Sequence, residues 1–559
     1  MKQVIVLAVL VLACLLSRQA LAQGVVPFKS KDKDTIRTVF VWHSDTLREV
    51  KKDSVSIQSL FGHVKLQQGK TLFYCDSVAI NQTGNIIEAF RNVHINDSDT
   101  TDIYSQYMKY YVDKKQITFQ KDVTLSDGKG VLTTAELQYD LNQRIGNYYN
   151  GGRVVNGPTV ITSRDGTYFA QSKDVYFKRD VVLKDPAYDL KADSLLYNTE
   201  TQLATFIAKT FIRDSSGRTI STTEGFYDLK GHKATFAKRP VMTDGSQSIV
   251  GDSVRFDDST GNSIATGHAV FQDTSQGLTV LAELMVGDKK KGTVLATQHP
   301  VLILKQESES DSIYIAADTF YSGRIPDSLM VKKDSLGNPI PDSAGKQTDT
   351  SARFIQGFHH VRVYSDSLQA LADSLYYSGA DSIFRLFTNP VAWASGRQVT
   401  GDTMYLYTKN KKPDRLYVFE NGLVTAKSGD NMFDQIKGNT LNGYFKDGVI
   451  DYMRAKGSAE SIYYIKDDSM ALVGVNKVSR ADIIDMIFVD KALNKVVLRN
   501  DANGTMYPIR KVNLDDMRLR NFKWLDDKRP KSKYELLEIN SSIETLDAGG
   551  KLNPAKKEY

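Results

Sequence analysis

Between about residues 40 and 500 the chain alternates apolar and polar positions with a period of two. Leu195 and Tyr197 fall on one strand face and Val123 and Leu125 on another, while positions such as Arg255, Lys109 and His94 are polar. Turn formers separate these stretches, among them Thr83-Gly84-Asn85, Ser126-Asp127-Gly128, Asp214-Ser215-Ser216-Gly217 and Ser259-Thr260-Gly261-Asn262. No strong helical periodicity interrupts them. The pattern predicts many short strands, each with one face toward a continuous apolar interior.

Two phrases recur in order. The first is a small residue, Asp, Ser or Thr, then an apolar step: Cys75-Asp76-Ser77-Val78, Ala192-Asp193-Ser194-Leu195, Gly251-Asp252-Ser253-Val254, Ala372-Asp373-Ser374-Leu375 and Gly401-Asp402-Thr403-Met404. The second is an apolar residue, a short polar or Gly step, then Val-x-apolar, as in Phe61-Gly62-His63-Val64, Phe90-Arg91-Asn92-Val93 and Phe119 to Val123. Its anchors are Val64, Val93, Val123, Val154, Val181, Phe211, Val241, Val270, Val301, Val361, Val391 and Leu423, spaced 27 to 32 residues apart except for one step of 60. That step contains a Pro-, Ser-, Asp- and Lys-rich stretch, about 322–352, too poor in apolar residues to fold. Excising about thirty residues there restores the spacing. Such a period marks stacked repeats rather than separate globular domains.

Composition narrows the function. Lys2, the apolar run Val4 to Leu16 and Ala20-Leu21-Ala22 read as a signal peptide, 1–22, cleaved after Ala22, with a flexible segment over 23–39. Cys14 offers an alternative as a lipid-attachment cysteine, although Leu12 suits that reading poorly. No later stretch approaches the ~18 consecutive apolar residues of a membrane helix. The formal charge of +6, from 72 Lys+Arg against 66 Asp+Glu, falls to +4 when Lys2 and Arg18 leave. No basic stripe interleaves with aromatics, so no nucleic acid is expected as a partner. Cys75 has no second cysteine in the mature chain, so stability rests on packing.

The two phrases, repeated from about Phe61 to Ser461 behind an export signal, resemble the repeating unit of the OstA-like (LptA-like) family of periplasmic lipopolysaccharide-transport proteins. The chain is most similar to the long Bacteroidota-type members, including closing segments like Gly504-Thr505-Met506-Tyr507-Pro508 and Phe522-Lys523-Trp524 to Arg529-Pro530-Lys531. The resemblance implies an elongated repetitive β-jellyroll over 40–500, an open β-solenoid-like trough with ~30-residue repeats, followed by a C-terminal cap and charged tail over 501–559. It also implies a periplasmic location, possible association with the outer membrane, and lipopolysaccharide as ligand. Edge strands would pair with other lipopolysaccharide-transport proteins, or head to tail with another copy. The lipid-binding positions would be Val93, Ile95, Val123, Leu125, Val181, Leu183, Leu195, Tyr197, Val254, Phe256, Val301, Ile303, Leu375 and Tyr377. The residues alone fit a sealed core equally well; the opening is implied only by the resemblance.

Catalytic readings fit poorly. Asp76, Asp193, Asp252, Asp318, Asp373 and Asp402 occur once per repeat, whereas an active site needs one convergent set, so a role bonding nearby backbone N–H groups is expected. The scattered histidines His63, His94, His268, His299, His359 and His360 suggest solvated side chains rather than metal ligands. Gly151-Gly152 reads as a turn, Pro240, Pro300 and Pro390 as strand starts, and Cys75 as buried and inert. Asp482 to Val489 and Lys495 to Leu498 read as closing strands, and Asn513 to Arg518 as a short helix. No enzyme activity, cofactor or metal is expected. The rival readings are a structural β-solenoid scaffold or adhesin and a polysaccharide-active parallel β-helix.

Overall fold

The computed structural model describes residues 24–28, 37–52, 55–305, 312–325, 353–409, 412–467, 469, 471–490 and 492–537. Among these the regular structure is almost wholly antiparallel strand, as the period of two predicts, with short helical turns only near the C-terminal end. The chain divides into two compact units, Met1–Met242 and Thr243–Tyr559. The proposed leader, Cys14, most of the insertion and the last part of the charged tail lie outside the described residues.

One repeat of the first unit shows the plan. Strand Asp174–Lys184 pairs with Tyr188–Asn198, but the register slips between Lys178 and Val181. Arg179 and Asp180, at the slip, both adopt left-handed backbone, with φ of +59° and +52°. Such a bulge places an extra residue on one strand and bends it. Residues 174–178 lie in one wall, here wall A, and 181–184 continue into the facing wall B. The partner strand returns from wall B to wall A.

Left-handed pairs recur at this corner. The first unit has Gly62/His63, Arg91/Asn92, Lys121/Asp122, Asn150/Gly151 and Lys238/Arg239. The second unit has Gly267/His268, Gln298/His299, His359/His360, Thr388/Asn389, Glu420/Asn421 and Gly457/Ser458. Apart from Thr388, no β-branched residue occupies these sites, because positive φ disfavours β-branched side chains. At Gly62 a Cβ would also collide with the Asp45 carboxylate.

The two sequence phrases are therefore two crossings of one corner, side by side. The Asp of the returning crossing faces the left-handed pair of the neighbouring strand. Asn92 Nδ2 donates to Asp76 Oδ2 at 3.0 Å, and Asn421 Nδ2 to Asp402 Oδ2 at 2.9 Å. His268 Nδ1 lies 2.9 Å from Asp252 Oδ2, and His360 Nδ1 2.8 Å from Asp318 Oδ2. The expectation of bonds to nearby backbone N–H groups misplaces the partner, which is a corner side chain on the next strand. Five of the six histidines, His63, His94, His268, His359 and His360, lie beside carboxylates, and His63 and His360 are solvated as expected, their side chains 86% and 83% exposed. Asp45, which the repeat phrases did not flag, does the same with His63 at 3.0 Å.

The corner also sorts the aromatic residues of the second phrase. Phe61 and Phe90 immediately precede the left-handed pair and point outward, 45% and 40% exposed. Phe119, Phe177 and Phe236 sit one position earlier and are fully buried. A shift of one residue moves a strand side chain to the opposite face.

Three regions depart from the sequence expectation. Within 23–39, Gly24–Phe28 forms a strand paired with Arg37–His43. The insertion begins later than residue 322, because Thr319–Arg324 is a strand whose Arg324 pairs with Arg353 of Arg353–Tyr364, so the ladder runs on in register. After Asn503–Pro508 pairs with Leu472–Val489, the chain turns back along the second unit instead of covering the edge. The helix expected over Asn513 to Arg518 is a single 3-10 turn, Leu514–Asp516, capped by the Asn513 side chain.

This returning strap, 509–537, lies on the outer face of wall B. Met517 and Leu519 pack with Leu423, Ile462, Tyr464 and Val475, and Leu536 packs with Val270, Leu281, Val301 and Ala316. Three buried glutamines hold it. Gln435 donates to Met517 O at 3.0 Å and accepts from Leu519 N at 2.8 Å. Gln398 donates to Lys523 O at 2.7 Å and accepts from Leu525 N at 2.8 Å, and Gln369 accepts from Arg529 Nε at 2.8 Å. Side-chain amides thus take the place of a strand ladder along an irregular backbone.

Candidate functional site between the walls

Alternate residues of both walls point into the space between them. In the first unit Val93, Ile95, Val123, Leu125, Val181 and Leu183 follow the corner into wall B, and Leu195 and Tyr197 follow the return crossing into wall A. All eight face inward, and each is 2% exposed or less. In the second unit Val254, Phe256 and Leu375 are inward and buried, while Tyr377 is half-buried. The first unit's interior is therefore closed by its own side chains in this conformation. The fourteen positions do not converge on one pocket; they are distributed along the repeats of two units.

Val301 and Ile303 are a correction. Their strand pairs Val280 with Leu302, and Val280 with Phe271, so Leu302 is the inward residue and Val301 faces out. Val301 packs under Leu536 of the strap, with Ile303 against the same cluster. The cause is Pro300, which occupies the first position after the left-handed pair Gln298/His299 and shifts the Val by one. Pro240 and Pro390 do the same, so Met242 and Ala392 face inward where the sequence pattern marks Val241 and Val391. All three prolines do immediately precede strands, as expected. Counting from the left-handed pair rather than from the nearest Val would have found the inward set.

The rim opposite the corners carries an arrangement the sequence reading missed. Tyr110, Tyr139, Tyr168 and Tyr197 recur every 29 residues at the wall A rim. The hydroxyls of the first three reach polar residues at the wall B rim of an earlier repeat. Tyr110 donates to Gln68, Tyr139 to Asp97 Oδ2 at 2.9 Å and Tyr168 to Asp127 Oδ2 at 3.3 Å. Asp97 also accepts from Thr71 at 3.0 Å and from Arg144 Nε at 3.1 Å, and its side chain is only 4% exposed. Asp127 accepts from Thr199 Oγ1 at 2.6 Å and from the Gly130 N–H at 2.7 Å. Asn156 donates across the rim to Thr199 O at 2.5 Å. The first unit is thus hinged at one side by bulges and latched at the other by polar bonds.

Burial and the adjacent carboxylates push the Tyr139 and Tyr168 hydroxyls far above their ordinary range. Burial, with Asp185 nearby, pushes Tyr197 up to about 12. Cys75 is buried and unpaired, and burial with Asp76 beside it pushes its thiol up to about 12, so it is a poor nucleophile. Among the described residues no group of three or more His, Cys, Asp or Glu side chains is arranged to hold a metal ion.

Residues 36–193 match the family of OstA-like proteins. The OstA-like stretch lies within the first unit and includes the Tyr110, Tyr139 and Tyr168 latches. Among solved structures, one likeness is to the crystal structure of LptH from Pseudomonas aeruginosa, described as the LptA homologous periplasmic component of the conserved lipopolysaccharide transport device. The identity is 14%, the coverage 19% of this chain and 82% of that one, and the TM-score 0.18. No curated protein sequence matches the chain.

Proposed function

We propose that the protein is a non-enzymatic periplasmic carrier or bridge that takes the acyl chains of lipopolysaccharide between its two walls on their way to the outer membrane. The OstA-like match supports this reading. The observation that carries it is the largely apolar set of inward side chains within each unit, on walls joined at bulged corners and, in the first unit, by a polar rim. A fourteen-carbon chain in water is unfavourable by roughly 11 kcal/mol. Each neutral rim bond contributes about 1 kcal/mol net, and those to carboxylates about 2 kcal/mol. An acyl chain entering the lumen replaces contacts that the walls make with each other, so the rim bonds are the main cost not returned. Parting a few of them is within reach of one acyl chain. Near-equal repeats then give near-equal binding at each step, which favours sliding over trapping.

The closed lumen of the first unit favours a second reading, a sealed scaffold. Photo-crosslinking probes at Val123 and Val181 separate the two. A carrier yields adducts with lipopolysaccharide in cells; probes that label only the protein itself would leave the scaffold. Pairing of edge strands with other transport proteins or with a second copy belongs to the same proposal, and crosslinks from Leu47 or Met506 to another chain test it.

A further inference from the structure

The outer face of wall A in the second unit carries a carpet of tyrosine and arginine that neither the lumen nor the strap uses. One cross-strand row runs Tyr376, Arg385, Tyr405, Tyr417, Asn442, Arg454. The Arg385 guanidinium lies 5.5 Å from the Tyr376 ring and 5.2 Å from that of Tyr405. Arg415, in the next row toward the rim, sits 5.5, 5.4 and 5.7 Å from the rings of Tyr407, Tyr417 and Tyr444. These side chains are half-buried, apart from Tyr444 at 41% exposed.

The face is also cationic. Among the described residues no carboxylate lies within ion-pair distance of Arg415, whose Nη2 donates to Asn442 Oδ1 at 2.6 Å. Farther along, Arg454 and Arg499 share the single carboxylate of Asp485, at 2.7 and 2.6 Å, which leaves an excess positive charge. Cross-strand Arg–Tyr stacking stabilises a sheet by itself. That alone does not explain why three tyrosine rings gather around Arg415. The equivalent row of the first unit begins Glu88, Lys109, Thr118, Gln138, Asn147, Thr167, a polar stretch, and continues Tyr176, Leu196, Thr205, Phe226; there lysines lie over tyrosines, Lys109 over Tyr111 and Lys178 over Tyr176.

We infer that this face of the second unit binds the phosphorylated saccharide of the carried amphiphile, with tyrosine rings against the C–H faces of the sugars and Arg415 and Arg454 toward its phosphates. Sugar rings offer apolar faces and hydroxyl edges, which suit flat phenol rings with their own hydroxyls. Guanidinium is the side chain best matched to phosphate oxygens. Tyr407, Arg415, Tyr444 and Tyr452 lie nearest the wall A rim, where strands Thr403–Lys409, Met432–Lys446 and Val449–Lys466 turn. A headgroup left outside while its acyl chains enter through the rim would meet them first. The inference rests on the carrier reading for the identity of the ligand.

The test uses the full mature chain and two probes. The phosphorylated core oligosaccharide of a rough lipopolysaccharide, freed of its lipid, reports the face alone; dansyl-undecanoic acid reports the lumen alone. The expected result is saturable oligosaccharide binding by calorimetry, weakened at least tenfold by Arg415→Gln and several-fold by Tyr444→Ala, and unchanged by Lys109→Gln in the first unit. Neutral dextran should not bind. Tyr444 is exposed enough that its variant folds even if the Arg415 variant does not. Absence of oligosaccharide binding, equal binding of dextran, or an equal loss with Lys109→Gln overturns the inference. Failure of the fatty-acid probe with the oligosaccharide still bound overturns the carrier reading instead.

Discussion

The two units share a corner and an inward apolar set, yet they finish their walls differently. In the first, tyrosines at the wall A rim reach carboxylates across the opening, and the outer row from Glu88 to Thr167 is polar. In the second, the tyrosine positions of the rim become Phe256, Gly287, Ser322, Tyr377 and Leu406. There wall B is apolar on its outer face as well and lies under the strap, while wall A is paved with tyrosine and arginine. The repeat fixes the bend and the interior. What is free to vary is the rim and the outside, and function can diverge there without disturbing the stack.

The comparison can be broken most forcefully from inside. Val181→Asp places a charge in the first unit's sealed interior and should cost about 4 kcal/mol, read as a shifted urea midpoint. Val301→Asp, at a similar place in the repeat phrase, should instead loosen the strap, because Val301 faces Leu536. Equal global destabilisation by both would refute the opposite facing of the two residues. Next, Asp127→Ala leaves the Tyr168 and Thr199 hydroxyls and the Gly130 N–H without their acceptor, a loss of about 3 kcal/mol confined to the first unit. Gln398→Ala removes two bonds to the strap and should weaken it by about 2 kcal/mol. Hydrogen exchange should quicken over residues 519–529, with the strands of wall B unaffected.

The smallest effect is a pH dependence. The raised folded-state values of Tyr139, Tyr168 and Tyr197 mean that the neutral hydroxyl is favoured by folding. The stability they contribute is complete below the ordinary tyrosine value near 10 and is lost as pH rises through the folded value, about 12 for Tyr197. The first unit should therefore loosen above about pH 10. A tyrosinate titration should show a group that ionises only with loss of structure. Tyr139→Phe, costing about 1 kcal/mol, should remove part of that lag. Ordinary titration of every tyrosine before any loosening would contradict the latch.

Much of the architecture was legible because it is local and periodic. Alternation with a period of two, turn formers and a thirty-residue beat report on strands and corners directly, so Val93, Val123, Val181, Leu195 and Val254 fall where the pattern puts them. Val301 does not, because a single inserted Pro300 reverses facing while leaving the beat intact. The rim latch escaped notice because its partners lie 41 or 42 residues apart, a repeat and a half, which no scan of one period compares. The tyrosine spacing alone was visible, yet inward tyrosines also read as plain core. The strap was illegible for another reason: its contacts are side-chain amides on an irregular backbone, which leave no periodic trace.

The returning strap has a consequence for how the molecule is made. By the time Pro508 leaves the ribosome every strand among the described residues has been synthesised, yet the hydrophobic surface around Val270, Val301, Ile462 and Val475 is still bare. Only the strap, residues 509–537, made after these strands, supplies the cover. Products truncated just past Pro508 would thus carry a sticky flank that chains reaching Leu537 hide, which lets quality control distinguish chains with the strap from chains without it.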